Sequence, residues 1–430
     1  MKVHAVRNTM ILALLAAAGS ASAQVATFHL IGSLPGSNTY SSGYGVSEDG
    51  SVVVGHSGNN YYYGSSSHAF RWSDDTGIVD LDPLAPAAGA FAISSDGLVI
   101  AGSETSGSVH AVEWNNNGSS LTDQLFHGGE VFGLSRDGAV AVGYDIDGGG
   151  GRSSGPHLAA MYGAGGGGGG GGSSHLTLIT TPGAATPAPT SSEALAANAD
   201  GSVIVGWGVF GGVRGAFRWT AADNMVRISS PTTTTATANG VSADGTVVVG
   251  EFAIASSIHA FRWTSASGMQ DLGVLPGMSR SAAYAASADG SVIVGMSGDQ
   301  FLANQHAFVW TAAGGMQDLN TTFAGVIPAG YTLTEARAIN SAGTVFAGGS
   351  RTPTAGVEAW VIVEQQPVHC NADFNGDGDL GTDADIQTFF ACLAGSCCTT
   401  CGSADFNGDG DLGTDADIEA FFRVLAGGAC

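Results

Sequence analysis

The chain has 430 residues, of which 37 are acidic and 13 basic, for a net charge of −24. Such a surface repels phosphate backbones, which argues against nucleic acid as a partner. Charged residues make up only 12% while glycine numbers 68, so turns and short strands are expected rather than long helices.

The first segment has the pattern of an export signal. Lys2 and Arg7 precede apolar residues 10–18, and Ala21-Ser22-Ala23 completes an A-x-A cleavage site. Residues 1–23 are therefore read as a signal peptide. The mature chain is expected to start near Gln24 and to lie outside the cytoplasm, secreted or at the cell surface. The apolar run is too short to span a bilayer, and no later segment is long enough.

Residues 24–363 repeat one unit. A short apolar strand leads to Ser-x-Asp-Gly, then a Val/Ile run that ends in Gly. His-Ala-Phe-Arg-Trp-Thr or a variant follows, and then a strand like Gly268-Met269-Gln270-Asp271. The turn glycine recurs at Gly50, Gly97, Gly138, Gly201, Gly245, Gly290 and Gly343. Units of this period read as a propeller or a solenoid.

Each unit offers four strands. In the sixth they are expected over residues 284–287, 291–295, 306–311 and 316–320. Asp-Gly between the first two is a tight hairpin signal, and a β-branched run this short suits a covered strand. Four antiparallel strands per unit is a propeller blade.

The ends of the repeat choose between ring and open stack. The seventh unit stops at residues 360–363, without its fourth strand. Residues 30–36 supply the missing piece, because they match residues 271–277 at Gly, Leu, Pro and Gly. Closure by the N-terminal strand satisfies two exposed sheet edges, whereas a solenoid needs caps and no such split. The expected fold is an all-β seven-bladed β-propeller closed by its N-terminal strand.

These repeats resemble the HAF family of extracellular repeats, through His68-Ala69-Phe70, His259-Ala260-Phe261 and His306-Ala307-Phe308. The resemblance implies secretion or surface display, and no catalytic residue is assigned from it.

Several features invite a chemical reading. Histidine recurs at His68, His110, His157, His259 and His306, and each is read as bonding a neighbouring turn or strand within its own blade. Trp72, Trp114, Trp219, Trp263, Trp310 and Trp360 follow, and are read as packing between blades. Gly151, Ser153 and Gly155 match G-x-S-x-G by chance, off any strand-to-helix turn. The glycine run 165–172 lacks the lysine and helix of a phosphate loop, so it reads as a flexible excursion. Tyr61, Tyr62 and Tyr63 sit in a loop where propellers place function. Glu104, Glu130, Glu193, Glu251, Glu335 and Glu358 are scattered, and sequence brings no two of them together.

A polar linker over residues 364–369 leads to a small module over residues 370–430. Its stretch A-D-F-N-G-D-G-D-L-G-T-D-A-D-I occurs twice. Oxygen side chains stand at Asp373, Asn375, Asp377, Asp379, Asp383 and Asp385, and again at Asp405, Asn407, Asp409, Asp411, Asp415 and Asp417. Alternate oxygens around a glycine turn are the logic of a calcium loop, since this hard cation takes about six to eight oxygen ligands. Ile386, Phe389, Phe390 and Leu393 then fall at helical spacing, as do Ile418, Phe421, Phe422 and Leu425.

All six cysteines lie in this module: Cys370, Cys392, Cys397, Cys398, Cys401 and Cys430. An even number in a small exported module reads as a disulfide framework of open connectivity. Cys398 and Cys401 also have zinc-ligand spacing, but no second C-x-x-C or paired histidine accompanies them.

The module resembles a type I dockerin, and more closely the cysteine-flanked dockerin-like modules that end secreted proteins of planctomycete-type bacteria. The resemblance implies two calcium sites and docking to a cohesin-like or cell-envelope partner. By it Asp373, Asn375, Asp377 and Asp385 are ligands, Asp379 gives a backbone carbonyl, and the second copy follows suit. One departure concerns the closing acid, because Ala384 and Ala416 stand where the usual spacing puts it. Asp385 and Asp417 are favoured over Asp383 and Asp415, because the apolar helix face starts directly after them.

The expected function is that of a secreted, non-enzymatic binding or surface protein. Its propeller would recognise a glycan or protein ligand, and its calcium module would anchor it. The alternatives are a component of extracellular polysaccharide degradation, through glycoside hydrolysis or carbohydrate binding, and a purely structural surface protein. A glycosidase needs two carboxylates across one bond.

Overall fold

A computed structural model describes residues 25–35, 40–58, 67–105, 109–115, 120–123, 129–146, 156–163, 176–179, 188–229, 235–301, 304–354, 356–365, 373–375, 381–394, 406 and 413–426. The chain divides into two compact units, Phe28–Val363 and a second that combines Met1–Thr27 with Glu364–Cys430.

The larger unit is all-β apart from one turn of helix. After β1 (Val25–Gly32) come β2 (Tyr40–Val46), β3 (Val52–Gly58), β4 (His68–Ser73) and β5 (Gly77–Asp80). The next repeat is β6 (Ala87–Ile93), β7 (Val99–Thr105), β8 (Val109–Asn115) and β9 (Ser120–Asp123). The third is β10 (Glu130–Leu134), β11 (Val140–Ile146), β12 (His157–Gly163) and β13 (Leu176–Leu178). The fourth is β14 (Ser192–Ala197), β15 (Val203–Phe210), β16 (Val213–Thr220) and β17 (Asn224–Arg227). The fifth is β18 (Ala236–Val241), β19 (Val248–Ile254), β20 (Ser257–Thr264) and β21 (Gly268–Asp271). The sixth is β22 (Arg280–Ala286), β23 (Val292–Gly298), β24 (Gln305–Thr311) and β25 (Gly315–Asp318), followed by the short helix α1 (Leu319–Thr322). The last is β26 (Thr332–Ile339), β27 (Val345–Arg351) and β28 (Val357–Gln365).

Repeats two to six each form a four-stranded sheet in chain order. The remaining strands form one eight-stranded sheet, β26-β27-β28-β2-β3-β4-β5, with β1 paired to β28. β28 meets β2 through a single parallel pair, Tyr40 with Val357.

The Ser-x-Asp-Gly turns bond to themselves. Ser135 Oγ donates to Asp137 Oδ1 at 2.6 Å, and that oxygen accepts the Ala139 N–H at 2.9 Å. These two bonds, the hydroxyl first, hold the Asp137 carboxyl below its ordinary pKa. Gly138 supplies the positive φ of +72°. The Ser–Asp contact recurs at Ser47, Ser94, Ser242 and Ser287, while Asn198 and Asn340 take the serine's place in two units. Most aspartates of these turns are thereby accounted for structurally.

Cores lie between consecutive sheets. Trp263 on β20 packs with Val203, Val205 and Ala216 of the preceding sheet, and Trp310 on β24 with Val247, Val249 and Ala260. The alanine of each His-Ala-Phe is fully buried at Ala69, Ala260 and Ala307, which lets neighbouring sheets approach. These tryptophans pack as their spacing suggested.

Several expected strand bounds needed correction. The sixth unit's first strand begins at Arg280, because Ser281, Ala282 and Ala283 join the ladder despite having no β-branched side chain. The N-terminal strand is Val25–Gly32 rather than residues 30–36. Its downstream residues are instead the loop that follows a fourth strand. Leu34 N–H donates to Ser57 Oγ at 3.0 Å, just as Leu275 N–H donates to Ser297 Oγ at 3.1 Å. Finally, β28 runs on through Glu364 and Gln365, the first two residues expected in the linker.

In the smaller unit α2 (Asp383–Leu393) and α3 (Asp415–Leu425) share a core of Phe374, Phe389, Cys392, Phe406, Ala420 and Phe421. Phe389 stacks on Phe421 with centroids 4.0 Å apart. Phe390 and Phe422, expected on the same apolar face, are each 44% exposed. The loop residues Phe374 and Phe406 fill the core in their stead. Among the described residues no helix is long and apolar enough to cross a membrane.

Candidate functional site

The first strand of every repeat carries a β-bulge at the same place. The ladder skips Tyr44, Phe91, Phe132, Leu195, Asn239, Tyr284 and Arg337 in turn. A bulge leaves one residue outside the ladder and re-aims its side chain. All seven line one cavity of about 470 Å³, walled by β2, β6, β10, β14, β18, β22 and β26. This cavity is the candidate site.

Its wall differs by sector. Tyr44, Phe91 and Phe132 form an aromatic arc, with successive ring centroids 5.6 and 5.9 Å apart. Arg337 Cζ lies 4.6 Å from the Tyr44 centroid and 4.7 Å from that of Tyr284, a double cation–π contact. Arg337 Nη2 also sits 2.8 Å from Glu335 Oε2, and the Ser42 hydroxyl donates to Glu335 Oε1 at 2.9 Å. Burial, the largest influence, works against charge on Arg337, but the Glu335 carboxylate, Tyr44 and Tyr284 together outweigh it and hold the guanidinium pKa well above its ordinary value.

Behind Tyr44 lies His56, 1% exposed and stacked on Tyr40 at 5.3 Å. Burial, then Arg337, pushes its imidazole pKa down to about 4, so it is neutral near pH 7. Neither ring nitrogen has a hydrogen-bond partner among the described residues.

The cavity narrows towards the Asp-Gly turns. Val46, Ile93, Leu134, Ala197, Val241, Ala286 and Ile339 line both it and a second cavity of about 160 Å³. Glu48 and Arg136 line that second space and form an ion pair across it. Glu48 Oε2 also accepts the Ser341 N–H at 3.2 Å. Backbone bonds link successive turns here, from Glu48 to Ser95, Ser95 to Arg136, Arg136 to Ala199, and Ala199 to Ala243.

A titratable group stands beside β10 and β14. His157 Nδ1 lies 2.8 Å from Glu193 Oε1, and Trp207 Nε1–H donates to Glu193 Oε2 at 3.0 Å. Tyr144 stacks on His157 at 4.0 Å. Burial, then Glu193, pushes the Glu130 carboxyl up to about 7. The fold thus couples two glutamates that sequence left scattered. His68, His259 and His306 face Asp80, Asp271 and Asp318 of their own sheets, as read, but His157 reaches into the next sheet.

In the small unit, Asp385 and Asp417 are fully buried. Asp385 Oδ1 accepts the Asn375 N–H at 3.2 Å, and its Oδ2 accepts the Thr382 N–H and hydroxyl at 2.8 and 2.9 Å. Asp417 repeats this with Phe406 and Thr414. Each acid therefore folds back over the start of its own loop, whereas Asp383 is exposed. All-oxygen donors facing a loop fit a hard cation such as calcium. Asp373 and Asn375 are half-buried at that loop start. Asp377, Asp379, Asp405, Asn407, Asp409 and Asp411 lie outside the described residues, as does the side chain of Asp415. Among the described residues no three His, Cys, Asp or Glu side chains gather to hold a metal ion. Cys392 is disulfide-bonded, and Cys370, Cys397, Cys398, Cys401 and Cys430 lie outside the described residues. Tyr61, Tyr62 and Tyr63, the G-x-S-x-G match and the glycine run lie outside them too.

Sequence reasoning passed over the cavity residues, although a signal was present. Each stands at one fixed offset before its turn glycine, as Tyr44 before Gly50 and Arg337 before Gly343. Their types vary freely, which hides the position from a search for repeated residues.

Several solved structures are similar to this chain. An oligogalacturonate lyase from Vibrio parahaemolyticus is similar over 84% of this chain and 97% of its own, with 12% identity and a TM-score of 0.50. The β-propeller domain of the Trilobed protease from Pyrococcus furiosus matches over 76% and 97%, with 8% identity and a TM-score of 0.47. TolB from Acinetobacter baumannii matches over 63% of each chain, less than two thirds of its own length, with 13% identity and a TM-score of 0.43. By its array of four-stranded sheets the larger unit is all-β and β-propeller-like, and the smaller unit is helical. No family model matches it, and no curated protein matches it.

Proposed function

We propose that this chain is a secreted, non-enzymatic binding protein of a bacterial cell exterior, whose larger unit is a seven-bladed β-propeller closed by its N-terminal strand. The observation that carries the binding reading is the cavity, where one bulged residue per repeat points inward from a rigid strand. Sites built on strands hold side chains more exactly than sites on loops. Pairing of β1 with β28 supports the closure. The repeats ally the protein with the HAF family of extracellular repeats, and the tail with dockerin-like modules.

The tail anchors the protein through two calcium ions to a cohesin-like or envelope partner. Buried Asp385 and Asp417 support this, since each turns carboxylate oxygens toward its loop. Bound calcium would offset the crowding of the loop carboxylates. A pull-down from the organism's own envelope, with the full chain, tests the reading. Capture is expected with calcium and lost with chelator; equal capture in both removes the anchoring role.

A second reading, acid–base chemistry on polysaccharides, is favoured by Glu130, which keeps its proton up to a pH of about 7 beside Glu193. Reducing-sugar release that Glu130→Gln abolishes would establish this reading and displace the first.

A further inference from the structure

We propose that the axial cavity binds one neutral sugar ring, presented as the end of a glycan chain. This rests on the binding reading above and names its ligand.

Charge comes first. The cavity's cation, Arg337, is already matched by Glu335, which is 2% exposed. An anionic ligand would add uncompensated negative charge beside Glu335. A cationic one would face a guanidinium that two tyrosines and a carboxylate hold in place. A neutral ligand avoids both costs.

Hydrogen-bonding capacity comes next. The Asn239 amide nitrogen donates to the Ala283 carbonyl at 2.9 Å, which orients the side chain and leaves its oxygen as an acceptor on the cavity wall. Covering that oxygen with a wholly apolar ligand costs about 1–3 kcal/mol. The ligand must therefore donate a hydrogen bond, as hydroxyl groups do. Elsewhere on the wall runs the arc of Tyr44, Phe91 and Phe132, which favours an apolar ring face. A pyranose offers hydroxyls at its rim and C–H groups on its face. The volume, about 470 Å³, lies within the range of roughly 300–1,000 Å³ usual for small-molecule sites.

The turn side limits how a glycan can lie. Below the site come an apolar collar, including Val46, Ile93 and Leu134, and then the Glu48–Arg136 ion pair. A polymer cannot thread past both, so a chain end is selected over an internal unit.

Titration calorimetry on the full chain tests this, with methyl glycosides of glucose, galactose, mannose and xylose as probes. Glucuronate and glucosamine serve as charged counterparts. At least one neutral glycoside should bind at a single site, with its charged counterpart weaker by about tenfold or more. Phe91→Ala and Asn239→Leu should each weaken it by about tenfold, and Leu195→Trp, which fills the cavity, should abolish it. The proposal fails if no neutral glycoside binds, if the uronate binds tighter, or if binding survives Leu195→Trp. Capture of a glycan or protein from an array that survives Leu195→Trp would overturn this site while leaving the binding reading intact. A blank array for the unaltered chain would remove the binding reading itself.

Discussion

The carbonyl oxygen of Thr237 stands 2.0 Å from where a Cβ on Gly250 would sit. The bulge at Asn239 pushes that carbonyl toward β19, and only a hydrogen fits between. The same approach recurs in the neighbouring sheet, between Ala282 and Gly295. This explains why every Val/Ile run ends in glycine: the bulge that aims a residue at the cavity requires it.

Gly250→Ala is therefore expected to destabilise the larger unit by about 3 kcal/mol or more, since a backbone atom must move. Gly268 has φ +67°, but a Cβ there would meet nothing within 4 Å, so Gly268→Ala should cost only about 1–2 kcal/mol from backbone strain. Thermal denaturation of the two variants checks the order, and equal losses would refute the close-approach account.

Arg337 and Glu335 should behave as a unit. Arg337→Met strands a buried carboxylate and should cost about 3–5 kcal/mol. Adding Glu335→Gln should restore part of that loss, because the uncompensated charge is gone. Chemical denaturation of the single and double variants reads the coupling directly.

Glu130 predicts a fall in stability with rising pH. Its folded pKa of about 7 lies above its ordinary value, mainly through burial and then Glu193. The folded state thus binds the proton more tightly, and its advantage is complete below the ordinary carboxyl pKa. That advantage is lost as pH rises to about 7, by no more than about 3 kcal/mol. Melting temperature should therefore decline between about pH 5 and 7 in the natural chain. Glu130→Gln should flatten that decline, and an unchanged slope would contradict the assignment.

The two candidate closing acids separate in a calcium titration of the full chain. Asp385→Ala removes a buried carboxylate that also bonds Thr382 at the start of α2, so it should weaken one site and loosen that helix. Asp383→Ala alters an exposed side chain and should leave affinity within about threefold. Far-ultraviolet circular dichroism with and without chelator reports the helix, and the reverse order would move the closing role to Asp383.

Much of the architecture was legible in local sequence because it rests on local chemistry. Ser-x-Asp-Gly bonds to itself within a few residues, so most of the hairpin turns could be read from four letters. The match of residues 30–36 to residues 271–277 pointed to the N-terminal segment as a fourth strand, since both stretches make the same loop contacts. Element edges were less legible: Ser281 and Ala282 lie in β22 through pairing with β23, not through any preference of their own.

The site itself was settled only in three dimensions. Tyr44, Phe91, Phe132 and Arg337 are far apart in the chain and unlike in type, and nothing local marks them as neighbours. They meet because a bulge at the same place in each repeat turns one side chain into the shared cavity. The pairing of Arg337 with Tyr44 and Tyr284, and the coupling of Glu130 to Glu193, likewise arise between strands of different repeats. Sequence by itself determined the repeating unit, because turns and strand patterns are short-range. The tertiary structure alone decided what that unit encloses, because enclosure depends on contacts between units.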